Sequence, residues 1–168
     1  QNTAVGYQSL NTNSEGYDNT ASGYYSLNAN TTGYSNSGFG VNALRNNTIG
    51  SYNSGFGIDV FYSNTTGRYN SALGSGAMYS NTTGEKNSAF GDQSLYKNTL
   101  GNFNTAFGNL SLQNNITGSY NTAIGYGADL FRDDTVYTNS SAIGYNAKIT
   151  ASNQIKLGDD NITSVVTT

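Results

Sequence analysis

The motif Asn-[Ser/Thr]-[Ala/Gly]-x-Gly recurs at Asn2, Asn19, Asn36, Asn53, Asn70, Asn87, Asn104 and Asn121, always 17 residues apart. The motif glycines run from Gly6 to Gly125, and a second glycine column keeps the same step from Gly16 to Gly118. Eight copies without an insertion or a deletion demand a fold that repeats by translation. Two glycines per unit, many Asn and Thr, and no apolar 3.6-residue period argue against helices. A unit of this length instead suits one coil of a parallel β-solenoid. Each coil is expected to carry two short strands, with turns at the two glycine columns. Equivalent residues then stack about 4.8 Å apart.

Columns of equivalent residues assign the sides of the coil. The third motif position is always Ala or Gly, whereas the fourth holds Val5, Phe39, Phe56, Leu73, Phe90, Phe107 and Ile124, with Ser22 the exception. Neighbours in a strand face opposite ways, so the small column fits a narrow interior and the large column needs another surface. Tyr52, Tyr69, Phe103 and Tyr120 share the parity of the large column. Leu, Ile, Val and Phe make up only 31 of the 168 residues, too few to stabilise a lone chain easily. Together these features predict a homo-oligomer built along the solenoid axis, with cyclic symmetry as the default. The Asn column Asn2, Asn19, Asn36, Asn53, Asn70, Asn87, Asn104 and Asn121 is the candidate for a structural amide ladder. A second column, Asn13 to Asn115, precedes the other glycine, where Asn suits a turn.

Composition excludes several chemistries. The chain has no His, Cys, Pro or Trp and a net charge of −3. No Cys/His zinc site, Ser-His-Asp triad or disulfide framework is available, and its few basic residues give no footprint for nucleic acid. The acidic residues do not recur in register, so the chain is read as non-enzymatic, without cofactor or metal. No apolar run reaches membrane-span length, so no membrane insertion by this segment is expected. The chain opens on Gln1-Asn2-Thr3 rather than on Met, as a processed chain or an excerpt would.

The segments "NTAVG", "NTAIG" and "SSAIGYNA" resemble the head repeats of trimeric autotransporter adhesins, the YadA-like head. Gly144 to Gly158 has the 14-residue spacing of that family, and the 17-residue form is similar to repeats of bacterial fibre proteins and phage tail fibres. The ending "IKLGDDNITSVVTT" looks like the segment leading from such a head towards a stalk or C-terminal domain. The resemblance implies a homotrimeric, left-handed parallel β-roll in an extracellular fibre, on a bacterial surface or a virion. Residues 1–128 are then eight 17-residue repeats, 129–139 an irregular charged insertion, and 140–168 head coils of the 14-residue type. The expected function is attachment through a cell-surface glycan or protein receptor. The alternatives are a passive tail-fibre shaft and an ice-binding solenoid.

Two sets of residues are candidate ligand contacts. Tyr62, Tyr79 and Tyr96 share one column, and Tyr7, Tyr24 and Tyr126 another. Each is either a surface that stacks on sugars or a ladder that stabilises coils. Arg132, Asp133 and Asp134 lie in the densest charge cluster, read either as a protruding binding loop or as a splice between coil types. Asp159-Asp160-Asn161 lacks the ligand spacing of an EF-hand. Asn-x-Ser/Thr sequons at Asn30, Asn46, Asn64, Asn81, Asn109, Asn115, Asn139 and Asn161 are an incidental product of an Asn/Thr-rich repeat.

Overall fold

The computed structural model describes residues 1–131, 136–162 and 164. It is an all-β solenoid, with no helix among the described residues. One strand per repeat forms the main sheet: β1 (Thr3–Val5), β2 (Thr20–Ser22), β3 (Ser37–Phe39), β4 (Ser54–Phe56), β5 (Ser71–Leu73), β6 (Ser88–Phe90), β7 (Thr105–Phe107) and β8 (Thr122–Ile124). β9 (Asp129–Leu130), β10 (Ser141–Ile143), β11 (Lys148–Ile149) and β12 (Ile155–Leu157) follow. The sheet has 10 strands in the order β1 to β8, β10, β12, and every pair is parallel. The register keeps each motif position above its equivalent, as in Ser71↔Ser88, Ala72↔Ala89 and Leu73↔Phe90. The splice from β8 to β10 keeps that alignment, with Ala123 paired to Ala142.

The expectation of two strands per coil is corrected. Residues 1–128 carry one strand per repeat, and a second, two-stranded parallel sheet forms only later, between β9 and β11. The reason lies in the backbone between the glycines. Three residues per repeat adopt left-handed φ, as at Asp59 (54°), Phe61 (52°) and Tyr69 (59°). Such residues turn the chain too often for a second extended segment. The motif glycine supplies the remaining special corner, with φ 136° at Gly91, a value open to glycine alone.

The interior is thin. Ala21, Ala72, Ala89, Ala106, Ala123 and Ala142 of the small column are buried, as is the column Leu27, Leu44, Phe61, Met78, Leu95 and Leu112. Those six bulky residues all hold φ between 45° and 54°, a conformation that normally costs on the order of 1–3 kcal/mol. Each is completely buried, and burying a Leu or Phe side chain is worth about 1.5–3 kcal/mol, which offsets it. The large column faces outward: Val5, Phe39, Phe56, Leu73, Phe90, Phe107, Ile124, Ile143 and Leu157 are all at least 36% exposed.

Two buried Asn ladders run along the core. In the first, the backbone N–H of each Asn donates to Oδ1 of the Asn one coil earlier, as at Asn70 to Asn53 (3.1 Å) and Asn87 to Asn70 (2.9 Å). The second is the Asn13 to Asn115 column, read from sequence as turn residues. Here Nδ2 donates to the preceding Oδ1 at 2.7 Å for Asn64 to Asn47 and 2.8 Å for Asn81 to Asn64. The ladders are tied together within every coil, since Asn53 Nδ2 (2.8 Å) and Asn64 Nδ2 (3.2 Å) both donate to the Gly67 carbonyl. That arrangement explains the second glycine column. A Cβ on Gly67 would lie 2.5 Å from Asn64 Oδ1 and 2.5 Å from the Gly84 carbonyl. Among the described residues no buried side-chain polar atom lacks a partner.

Candidate functional site

The outward face of the main sheet carries three columns. Tyr52, Tyr69, Phe103 and Tyr120 flank it on one side and the large apolar column on the other, with the Ser/Thr column of the strands between. Tyr52–Tyr69 and Phe103–Tyr120 stack at 4.8 and 5.0 Å between centroids, and Phe39–Phe56 at 4.9 Å. Lys86 interrupts the aromatic column and lies over Phe103, 4.8 Å from its ring centroid. The result is an apolar strip from Phe39 to Leu157, cut off from Val5 by Ser22 and flanked by Asp18, Ser35 and Lys86 where aromatics would continue, and larger than isolated exposed side chains would produce.

Beyond the motif-glycine corner lies a second face, where the candidate tyrosines sit. Tyr62, Tyr79 and Tyr96 are half-buried and stack at 5.0 and 5.1 Å, within 12° of parallel. Both faces of Tyr79 are therefore turned to neighbouring rings. Arg45, in the same column one coil earlier, covers the free face of Tyr62 at 5.6 Å. What this ladder presents outward is a row of ring edges and phenol groups, which suits hydrogen bonding better than sugar stacking. Burial between Tyr62 and Tyr96 pushes the Tyr79 phenol above its ordinary pKa. Tyr52 is raised as well, chiefly by its hydrogen bond with Tyr34.

Tyr7 and Tyr24 are exposed and stack at 5.5 Å. Tyr126 is separated from them along the axis and stacks instead with Tyr145 at 5.8 Å. Tyr25 was not singled out from sequence, yet it stands edge-on to both Tyr7 (5.7 Å) and Tyr24 (4.6 Å). Arg45 lies over Tyr25 at 4.6 Å, so it joins the two candidate tyrosine columns. Sequence reasoning missed Arg45 because it stands where a Tyr column would continue, and only stacking shows what a cation does there.

Arg132, Asp133 and Asp134 lie outside the described residues. Asp129 and Leu130, at the start of the expected insertion, are buried and paired with β11. Near the end of the chain the Asn161 backbone and side chain both donate to Asp159, which lowers the pKa of its carboxyl. Asp160 pairs with Lys156 at 2.9 Å. Among the described residues no three His, Cys, Asp or Glu side chains cluster as metal ligands would. The sequons at Asn30, Asn64, Asn81 and Asn115 fall on buried ladder residues. Comparison with protein-family models, curated proteins and solved structures gave no match.

Proposed function

We propose that the chain is a non-enzymatic segment of an extracellular fibre, a homotrimer whose rigid solenoid carries an adhesive surface. The observation that supports this reading best is the large apolar column on the main sheet, continuous from Phe39 to Leu157. Phe56 is 41% exposed, Leu73 51% and Phe107 59%, on a chain whose described interior is mainly Ala, Ser and Asn beside one column of large side chains. A sheet face of that kind is covered in an assembly, and two further copies of the same chain present complementary strips at every height. A left-handed β-roll is the form of coil that goes with this reading.

The native mass, measured by light scattering, tests it first. Three chain masses are expected, and a folded, monodisperse monomer would overturn the assembly. Attachment to cells and to a glycan array tests the adhesive role. A passive shaft is the second reading, favoured by the closed stacking of Tyr62, Tyr79 and Tyr96. It stands alone if the trimer binds neither cells nor sugars. Ice binding finds less support, because Thr31, Thr48, Thr65, Thr82 and Thr99 turn their hydroxyls onto the next coil's carbonyl at 3.0–3.1 Å.

A further inference from the structure

On the face beyond the glycine corner, one cation lies against the rings of two tyrosines. The Arg45 guanidinium lies between the Tyr25 ring (4.6 Å) and the Tyr62 ring (5.6 Å) and is half-buried. Its hydrogen bond to the protein is a long one, Nη1 to Asn42 Oδ1 at 3.3 Å. The nearest acid in this network, Asp59, accepts instead from Asn42 Nδ2 at 2.8 Å. No carboxylate among the described residues forms an ion pair with Arg45. Attraction to the two rings holds the cation at this point, and the planar N–H fork of a guanidinium matches a carboxylate. Stacking also fixes the fork before a ligand arrives, which lowers the ordering cost of binding.

We infer that Arg45, held between Tyr25 and Tyr62, is the anion-binding point of a glycan site that takes a carboxylated sugar. The sugar hydroxyls would meet the phenols of Tyr24, Tyr25 and Tyr62 and the amide of Asn42. Arg45 is set among the phenols, the Asn42 amide and one acid, Asp59, and that mix favours one sugar carboxylate over a multiply acidic peptide. A lysine would not do the same work, because a point charge has no planar fork and stacks less well. This inference rests on the adhesive reading above and names its ligand class.

Saturation-transfer NMR and titration on the intact assembly test it, with 3′-sialyllactose as the probe, lactose as the neutral control and a polyglutamate peptide as the acidic competitor. Sialyllactose is expected to bind and lactose to bind at least about tenfold more weakly, the loss of one charge-assisted bidentate contact. Arg45→Ala is expected to abolish the preference, and Arg45→Lys to lose about tenfold while keeping the charge. Circular dichroism confirms that both variants fold. Equal binding of lactose, unchanged binding by Arg45→Ala, or tighter binding of polyglutamate would overturn the site. Cell attachment separates the two proposals: attachment that survives Arg45→Ala removes this site and leaves the adhesive reading, whereas no attachment by the parent protein removes both.

Discussion

At the residue scale, the buried asparagines are the groups with most to lose. Asn70 Nδ2 donates to Asn53 Oδ1 (3.1 Å) and the Gly84 carbonyl (2.8 Å), while its Oδ1 accepts from Asn87 (2.9 Å). Asn70→Ala orphans the buried Asn87 backbone N–H, while Asn53 Oδ1 keeps the backbone N–H of residue 70 and the Gly84 carbonyl keeps Asn81 Nδ2 as donors. One orphaned buried group and two weakened acceptors cost about 1–3 kcal/mol together, and that loss is expected in urea denaturation. A change below about 1 kcal/mol would mean that the ladder contributes little. Packing makes a second residue-scale prediction. Gly55 replaces Ala in the small column of the repeat that holds Val60 and Phe61, and a Cβ there would sit 3.1 Å from both side chains. Gly55→Ala should therefore destabilise by about 1–3 kcal/mol, the range for overpacking, and Phe61→Leu in the same chain should recover part of it. Additive losses would contradict the size exchange.

At the element scale, the aromatic ladders join successive coils. Tyr79 touches rings on both sides, so Tyr79→Ala removes two stacked pairs and should cost about 1–3 kcal/mol, whereas Tyr79→Phe keeps both. Thermal melts of the two variants check this, and equal losses would place the energy in the hydroxyl instead. The same ladder sets a pH dependence. Burial raises the Tyr79 phenol above its unfolded value of 10.0, so the folded state favours the neutral form. Its contribution is fully present below the unfolded pKa and is lost as pH rises through the folded one. Ultraviolet titration should find Tyr79 ionising above the ordinary phenol pKa, as Tyr52 also does, and Tyr79→Phe should shrink that late step. Early ionisation would mean that the ladder is open to water.

For the whole molecule, the strip on the main sheet decides the outcome. Phe90→Asp places a charge in its middle, at a side chain that is 37% exposed on the single chain. In a lone solenoid such a change costs about 1 kcal/mol, from the lost contact with Phe107 and the lower strand propensity of Asp, and leaves the mass that of one chain. In the proposed assembly it buries unpaired charges, so light scattering should show dissociated chains and unfolding should become concentration-dependent. Unchanged mass and stability would remove this face from the chain–chain contact.

Much of this architecture was legible in the residues. The constant 17-residue step determined that the fold repeats by translation, and the alternation of Ala with Phe or Leu determined which side of each strand is buried. Both follow because a strand has a period of two and a column repeats its environment in every coil. Only the tertiary structure decided that a coil keeps one strand, because left-handed backbone at residues such as Phe61 is stabilised by burial rather than by propensity. It also decided that the Asn13 to Asn115 column, whose backbone N–H groups close turns as at Asn64 to Phe61 (3.1 Å), forms a side-chain ladder as well, and that Arg45 lies against Tyr25 and Tyr62. Those facts depend on which side chains meet across coils and around a corner, and a one-dimensional period carries the first kind of neighbour but not the second.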